Sequence, residues 1–254
     1  MPDRLRTVTA TRYVTPLREG GSLPGVVEAD DDGLYVTKFR GAGQGEGALV
    51  AEVVAGELAR ALGLPVPELV LVDVSPELAA AEPDPEIQEL IAASAGLNLG
   101  MDFLPGALPF AAPADPAPAP EWAADVVWLD TLVTNVDRTP RNPNLLVWHG
   151  RTWLIDHGAA FFRRHQAGAL ADTAGRAMPQ VGEHVLLPAA GSIAAADERL
   201  AAPADAAVDG AVALVPDEWL GPDPAAARAD LAGFLHARLT APRDFVREVE
   251  DARA

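Results

Sequence analysis

Asn135-Val136-Asp137-Arg138-Thr139-Pro140-Arg141-Asn142-Pro143-Asn144-Leu145-Leu146-Val147, followed by Leu154-Ile155-Asp156-His157-Gly158, is the stretch from which the rest of the chain can be read. The first part is rich in turn residues and carries Asp137 and Asn142 on one loop. A β-like run from Leu145 to Trp148 follows, then a hairpin turn at His149-Gly150. A second apolar run, Trp153 to Ile155, delivers Asp156 just ahead of Gly158. Phosphoryl transfer needs this set: one carboxylate to orient the attacking hydroxyl, and an amide and a second carboxylate to hold magnesium on the phosphates. The chain has four asparagines, and three of them are Asn135, Asn142 and Asn144. Composition does not account for that clustering.

Lys38 strengthens the reading, because it is the one lysine among 19 basic residues. Where arginine has otherwise replaced lysine, a retained lysine points to a need for a compact, flexible point charge that a planar guanidinium cannot imitate. Lys38 ends the strand-like run Leu34-Tyr35-Val36-Thr37-Lys38-Phe39, just after the turn Asp30-Asp31-Asp32-Gly33. Taken alone, a single lysine on a solvated strand face fits equally well.

At 254 residues the chain can form one large domain or two packed lobes. Its 49% hydrophobic and 22% charged residues are those of a globular protein. The net charge of −18, with no Lys or Arg between Ala61 and Asp137, disfavours nucleic acid and anionic membranes as partners. There are no cysteines, which excludes disulfides and thiolate chemistry and fits the cytoplasm. The five histidines show no metal-ligand spacing and are expected at the surface or at caps. Neither a signal peptide nor a membrane span is expected.

Residues 7–17 alternate as a strand and lead into the glycine-rich turn around Gly20, Gly21 and Ser22. Two short strands follow, at Val26-Val27 and Leu34 to Phe39. Gly41 to Gly47 reads as a loop. Ala48 to Leu62 reads as a helix that stops at Gly63 and carries Glu52 and Glu57. One of these glutamates could pair with Lys38; Glu52 is favoured by its place in the first half of the helix, the alternative being that both are solvated. Leu69 to Val74 reads as a buried strand, Pro76 to Ala95 as partly helical, and Leu99 to Leu104 as a short strand. Ala107 to Pro120 reads as a linker. Glu121 to Thr134 has Trp122, Val126, Leu129 and Val133 at helical spacing, as for a one-faced helix. The remainder is helical with proline breaks, ending in helices at Ala225–Leu239 and Asp244–Arg253.

In this order the features resemble the HipA-like kinase family, a branch of the protein-kinase-like fold related to phosphoinositide kinases. The resemblance rests on Gly20-Gly21-Ser22, Tyr35-Val36-Thr37-Lys38-Phe39, Ala51-Glu52 with Leu62-Gly63-Leu64-Pro65-Val66-Pro67, the loop Asp137 to Asn144, Ile155-Asp156-His157-Gly158 and Pro216-Asp217-Glu218-Trp219-Leu220. It implies an α+β, bilobal protein-kinase-like fold: a small β-rich N-lobe over residues 1–106 with one main helix, and a mostly helical C-lobe over 107–254. It implies ATP and Mg2+ as cofactors and a protein serine or threonine hydroxyl as acceptor. Asp137 would be the catalytic base or orienter, and Asn142 and Asp156 the metal ligands. Lys38, braced by Glu52, would meet the phosphates beneath Gly20, Gly21 and Ser22; Met101, Asp102, Phe103 and Leu104 would face the adenine. A nucleotide-binding pseudokinase without turnover, an interaction module or a small-molecule kinase are the alternatives. His157 stands where the family usually has an aromatic residue. The chain is too short for the extra N-terminal subdomain of toxin-type members and has no fused helix-turn-helix, so a toxin–antitoxin role is not implied. Ser22 corresponds by position alone to their self-phosphorylation site.

Overall fold

The computed structural model describes residues 4–17, 23–43, 45–111, 117–165 and 169–253, and its mixed α+β content matches the expected class. By contacts the chain divides into two compact units: one made of 2–50 and 67–105, the other chiefly of 51–66 and 106–254. The division near residue 106 is joined by a second feature that a single cut does not contain. Helix α1, Gly45–Ala61, gives its start to the first unit and its remainder, from Ala51, to the second. It begins three residues before the expected Ala48, so Gly45 and Gly47 are helical and not part of a loop.

The first unit is a small closed barrel in the order β1-β2-β3-β5-β4, with β1 Thr7–Pro16, β2 Gly25–Ala29, β3 Leu34–Lys38, β4 Leu69–Val74 and β5 Gly96–Asp102. Neighbours are antiparallel except for β1 and β4, which pair in parallel from Thr7 opposite Leu71 to Thr9 opposite Asp73 and close the barrel. Alternation puts Val8, Ala10, Val27, Ala29, Tyr35, Val70, Val72 and Val74 inside, where Ile87 and Ile91 of α2, Pro85–Ala93, complete the core. Gly100 is required in β5: a Cβ there would lie 2.6 Å from Val72 Cγ2 and 2.9 Å from Val70 Cγ2. At the turn before β3, Asp31 accepts from Tyr35 Oη at 2.8 Å and from the Gly33 N–H at 3.0 Å, and pairs with Arg6.

In the second unit the expected hairpin is present as β7 Leu145–Trp148 and β8 Arg151–Leu154, turning at His149-Gly150. The segment expected as a linker adds a strand to it: β6, Leu108–Pro109, pairs with Val147 and Leu146, and Phe110 N–H continues to Leu145 O. Helix α3, Pro120–Leu132, is not the one-faced helix expected; Ala123, Ala124 and every residue from Val126 to Leu132 are buried, while Trp122 is only half-buried. The surrounding helices are α4 Ile193–Ala213, α5 Pro224–Leu239 and α6 Asp244–Arg253. Trp128 of α3 donates Nε1–H to Asp197 of α4 at 2.9 Å, and Arg243 grips the same carboxylate with contacts from 2.6 to 2.9 Å. Among the described residues no helix is long and apolar enough to cross a membrane.

Candidate active site

Helix α3 runs straight into the loop that bears Asp137, and a buried carboxylate sets the loop's path. Asp130, fully buried in the last turn of α3, accepts Asn135 Nδ2 at 2.9 Å, Arg138 Nε at 2.5 Å and His184 Nε2 at 2.9 Å, while its own carbonyl accepts the Asn135 N–H at 2.7 Å. Burial alone would raise its pKa, but the Arg138 guanidinium and the His184 N–H outweigh it and hold the group well below the usual carboxylate range. The Leu186 N–H donates to His184 Nδ1 at 3.1 Å, so the ring proton sits on Nε2, facing Asp130. Arg138, also buried, reaches on with Nη1 to the carbonyls of Asn144 and, at 3.4 Å, Ile155. One guanidinium therefore ties the end of α3 to both strands of the hairpin.

On this frame Asp137 is half-buried. Its Oδ2 accepts Nδ2 of Asn142 at 2.7 Å and Nδ2 of Asn144 at 3.5 Å. Thr139 and Asn142 exchange backbone hydrogen bonds, each 3.1 Å, closing the tight turn Thr139-Pro140-Arg141-Asn142 that presents Asn142 to solvent. Asn144 is buried and also donates Nδ2 to the Asp156 carbonyl at 3.4 Å, linking the loop to the strand end. Asn144 (φ 50°), Asp156 (φ 56°) and Thr134 (φ 53°) all adopt the left-handed region. Asn and Asp tolerate it, but for β-branched Thr134 it is a strained conformation of the kind that concentrates at functional sites.

Glu52 lies in the same unit and is completely buried, not solvated, as is nearly all of Glu57. Its Oε2 accepts the His157 backbone N–H at 2.8 Å and lies 3.5 Å from His157 Nδ1. The expectation that histidines sit at the surface is thus corrected at two positions: His157 and His184 are core residues, His184 because it completes the Asp130 network.

The structure thus brings Asp137, Asn142 and the Asp156 backbone into one hydrogen-bonded group, with Glu52 bonded to the residue after Asp156. Lys38 ends β3, paired with Leu99, and Met101 and Asp102 end β5, with Phe103 and Leu104 just beyond; all five belong to the barrel unit. Gly20, Gly21 and Ser22 lie outside the described residues. No motif or spacing in the sequence marks Asp130, Arg138 or His184 as a site residue. The available signal was a lone acid, Asp130, in an otherwise apolar helix, which demands a buried partner.

A family profile described as HipA-like kinase matches residues 11–240. Among solved structures, the crystal structure of a proinflammatory kinase of Helicobacter pylori, CtkA, superposes with a TM-score of 0.54 at 12% identity, covering 98% of this chain and 99% of that one. No curated protein sequence matches the chain.

Proposed function

Because the chain belongs to the HipA-like kinase family, we propose that it transfers the γ-phosphoryl group of ATP, with magnesium, to a serine or threonine hydroxyl of a protein, using a bilobal protein-kinase-like arrangement. The observation that carries this reading is the Asp137–Asn142–Asn144–Asp156 group, assembled on one loop and one hairpin. Both amides converge on Asp137 Oδ2, which leaves Oδ1 to accept the hydrogen bond of an acceptor hydroxyl and orient its oxygen. With Nδ2 committed to Asp137, Asn142 has Oδ1 left to act as a hard oxygen donor, and we assign the Asp156 carboxylate as the second donor. Two protein oxygens suit magnesium, which keeps waters and phosphate oxygens in its remaining positions. Among the described residues no cluster of three or more histidines and carboxylates forms an alternative cage. Bound there, magnesium would neutralise charge on the phosphates.

In the barrel unit, we assign Lys38 to the α- and β-phosphates and Met101 to Leu104 to the adenine; Gly20, Gly21 and Ser22, outside the described residues, are assigned to ATP binding by their place in the sequence alone. Glu52 is assigned to brace Lys38 while its Oε2 holds the His157 N–H. Catalysis then rests on positioning and electrostatics. The test is incubation with labelled ATP and magnesium, with intact mass as readout, beside Asp137→Asn. That variant is expected to keep ATP affinity and to lose roughly 10²–10⁴-fold in turnover, as for a lost general base. Joint loss of binding and turnover would move Asp137 onto the metal, and absence of transfer by the unaltered protein would leave a nucleotide-binding module.

A further inference from the structure

The segment downstream of Asp156 is held by helix α5 at both ends. At its start, the Asp230 carboxylate accepts two successive backbone N–H groups, Leu170 on Oδ2 and Ala171 on Oδ1, each at 2.9 Å. At its end, Arg238 donates Nη1 to the carbonyls of Ala174 at 2.8 Å and Arg176 at 3.2 Å. The same guanidinium donates Nε to Leu132 O at 2.9 Å and Nη2 to Thr131 O at 2.8 Å, capping the carbonyls at the end of the helix that delivers the Asp137 loop. Arg163 adds Nη2 to Ala177 O at 3.1 Å. Arg238 is buried, lies over Phe245 at 4.9 Å and Phe234 at 5.6 Å, and accordingly has its pKa pushed down by burial to about 10. Among the described residues no carboxylate hydrogen-bonds to it. A buried guanidinium spent wholly on backbone carbonyls is costly to keep. Its planar fork is what lets it serve two chain segments at once.

Kinase segments in this position are commonly ordered by phosphorylation, a new phosphate pairing with arginine. Here the one hydroxyl side chain from His157 to Gly191 is Thr173. It is buried and already donates Oγ1–H to Leu170 O at 2.7 Å. We propose that Arg238, with Asp230, is a positioning residue that locks Leu170–Ala177 to the end of α3, so that the site is set for transfer without phosphorylation of this segment. The inference rests on the kinase reading for its consequence but not for its first test.

That test is amide hydrogen exchange by mass spectrometry on the full chain, comparing Arg238→Lys and the milder Asp230→Asn. Lysine keeps the charge and loses the fork. Exchange at Leu170–Ala177 and at the α3 end is expected to speed up by about ten-fold or more, with the barrel strands unchanged. Unchanged exchange in both variants overturns the proposal; should Arg238→Lys fail to fold, Asp230→Asn carries the same test. In turnover assays Arg238→Lys is expected to lower kcat with little change in KM for ATP. Protein treated with phosphatase is expected to keep full turnover; loss of activity on treatment overturns independence from phosphorylation. Faster exchange in the variants with no phosphotransfer even by the unaltered protein would retain the lock and refute the kinase reading.

Discussion

Replacing Asp130 by asparagine is the sharpest probe of how the Asp137 loop is held. The swap keeps shape and removes one charge from a site with no exposure, leaving Arg138 buried with carbonyls as its remaining partners. Removing one partner of a buried ion pair costs about 3–5 kcal/mol, because the other charge is stranded. Against a total stability of about 5–15 kcal/mol, that is a large share. At about 2–4 °C per kcal/mol for a chain of this size, Tm should fall by roughly 6–20 °C. The amide must also turn its NH2 toward two of the three groups that donate to Asp130 (Asn135 and Arg138 on one oxygen, Arg138 and His184 on the other), which adds to the loss. Thermal and urea unfolding of Asp130→Asn measures this. The double variant Asp130→Asn/Arg138→Met removes the stranded charge and should regain part of the stability, so the two changes are non-additive. It should not regain phosphotransfer, since Asn144 and Ile155 lose the donor that positions them. A loss below about 1 kcal/mol in Asp130→Asn would refute the argument that this charge pair holds the loop.

Asp156→Asn should fold normally, since asparagine also accepts the left-handed backbone found there, and should lose the magnesium dependence of ATP binding by calorimetry; unchanged magnesium-dependent affinity would remove Asp156 from the metal. Lys38→Arg preserves charge, so a merely solvated lysine would tolerate it within about 0.5 kcal/mol; weakened ATP binding and little transfer are expected instead, with Glu52→Gln milder and non-additive with it. His236 donates between Asp205 at 2.7 Å and Asp209 at 3.2 Å, and the Asp205 bond, opposed by partial burial, raises its pKa. A raised pKa stabilises fully below the unfolded value of roughly 6.5 and is lost as pH climbs through the folded one, so the Tm gap between the protein and His236→Gln should shrink from acid to mildly alkaline pH; a gap constant with pH would count against it.

Local signals were the legible ones. The bounds of β4, Leu69–Val74, and of α6, Asp244–Arg253, follow from the sequence, because apolar patterning, turns and caps act over a few residues. The parallel β1–β4 pairing was not legible, since nothing in either strand encodes a partner some sixty residues away. The two-residue strand β6 was hidden in a Pro/Ala stretch because its one side of hydrogen bonding tolerates proline. Within the site, Asp137, Asn142, Asn144 and Asp156 stood out by residue type and spacing, and the structure joins them by hydrogen bonds. Asp130, Arg138 and His184 did not, because a buried polar network is assembled from distant segments and leaves no periodic trace. His157 shows the same limit: its burial follows from the strand end that carries it.

The solitary lysine has a practical consequence. A protease specific for lysine has one bond to cut, between Lys38 and Phe39. Phe39 is 1% exposed and packed in the barrel interior, while Lys38 is paired through β3 to β5. Cleavage therefore requires the barrel to open, and the two fragments that result count opening events at a single address. Any ligand that favours the closed barrel would slow their appearance in proportion to its occupancy. The chain thus carries its own clock for the breathing of its β-rich unit, readable on a gel without label or mutation.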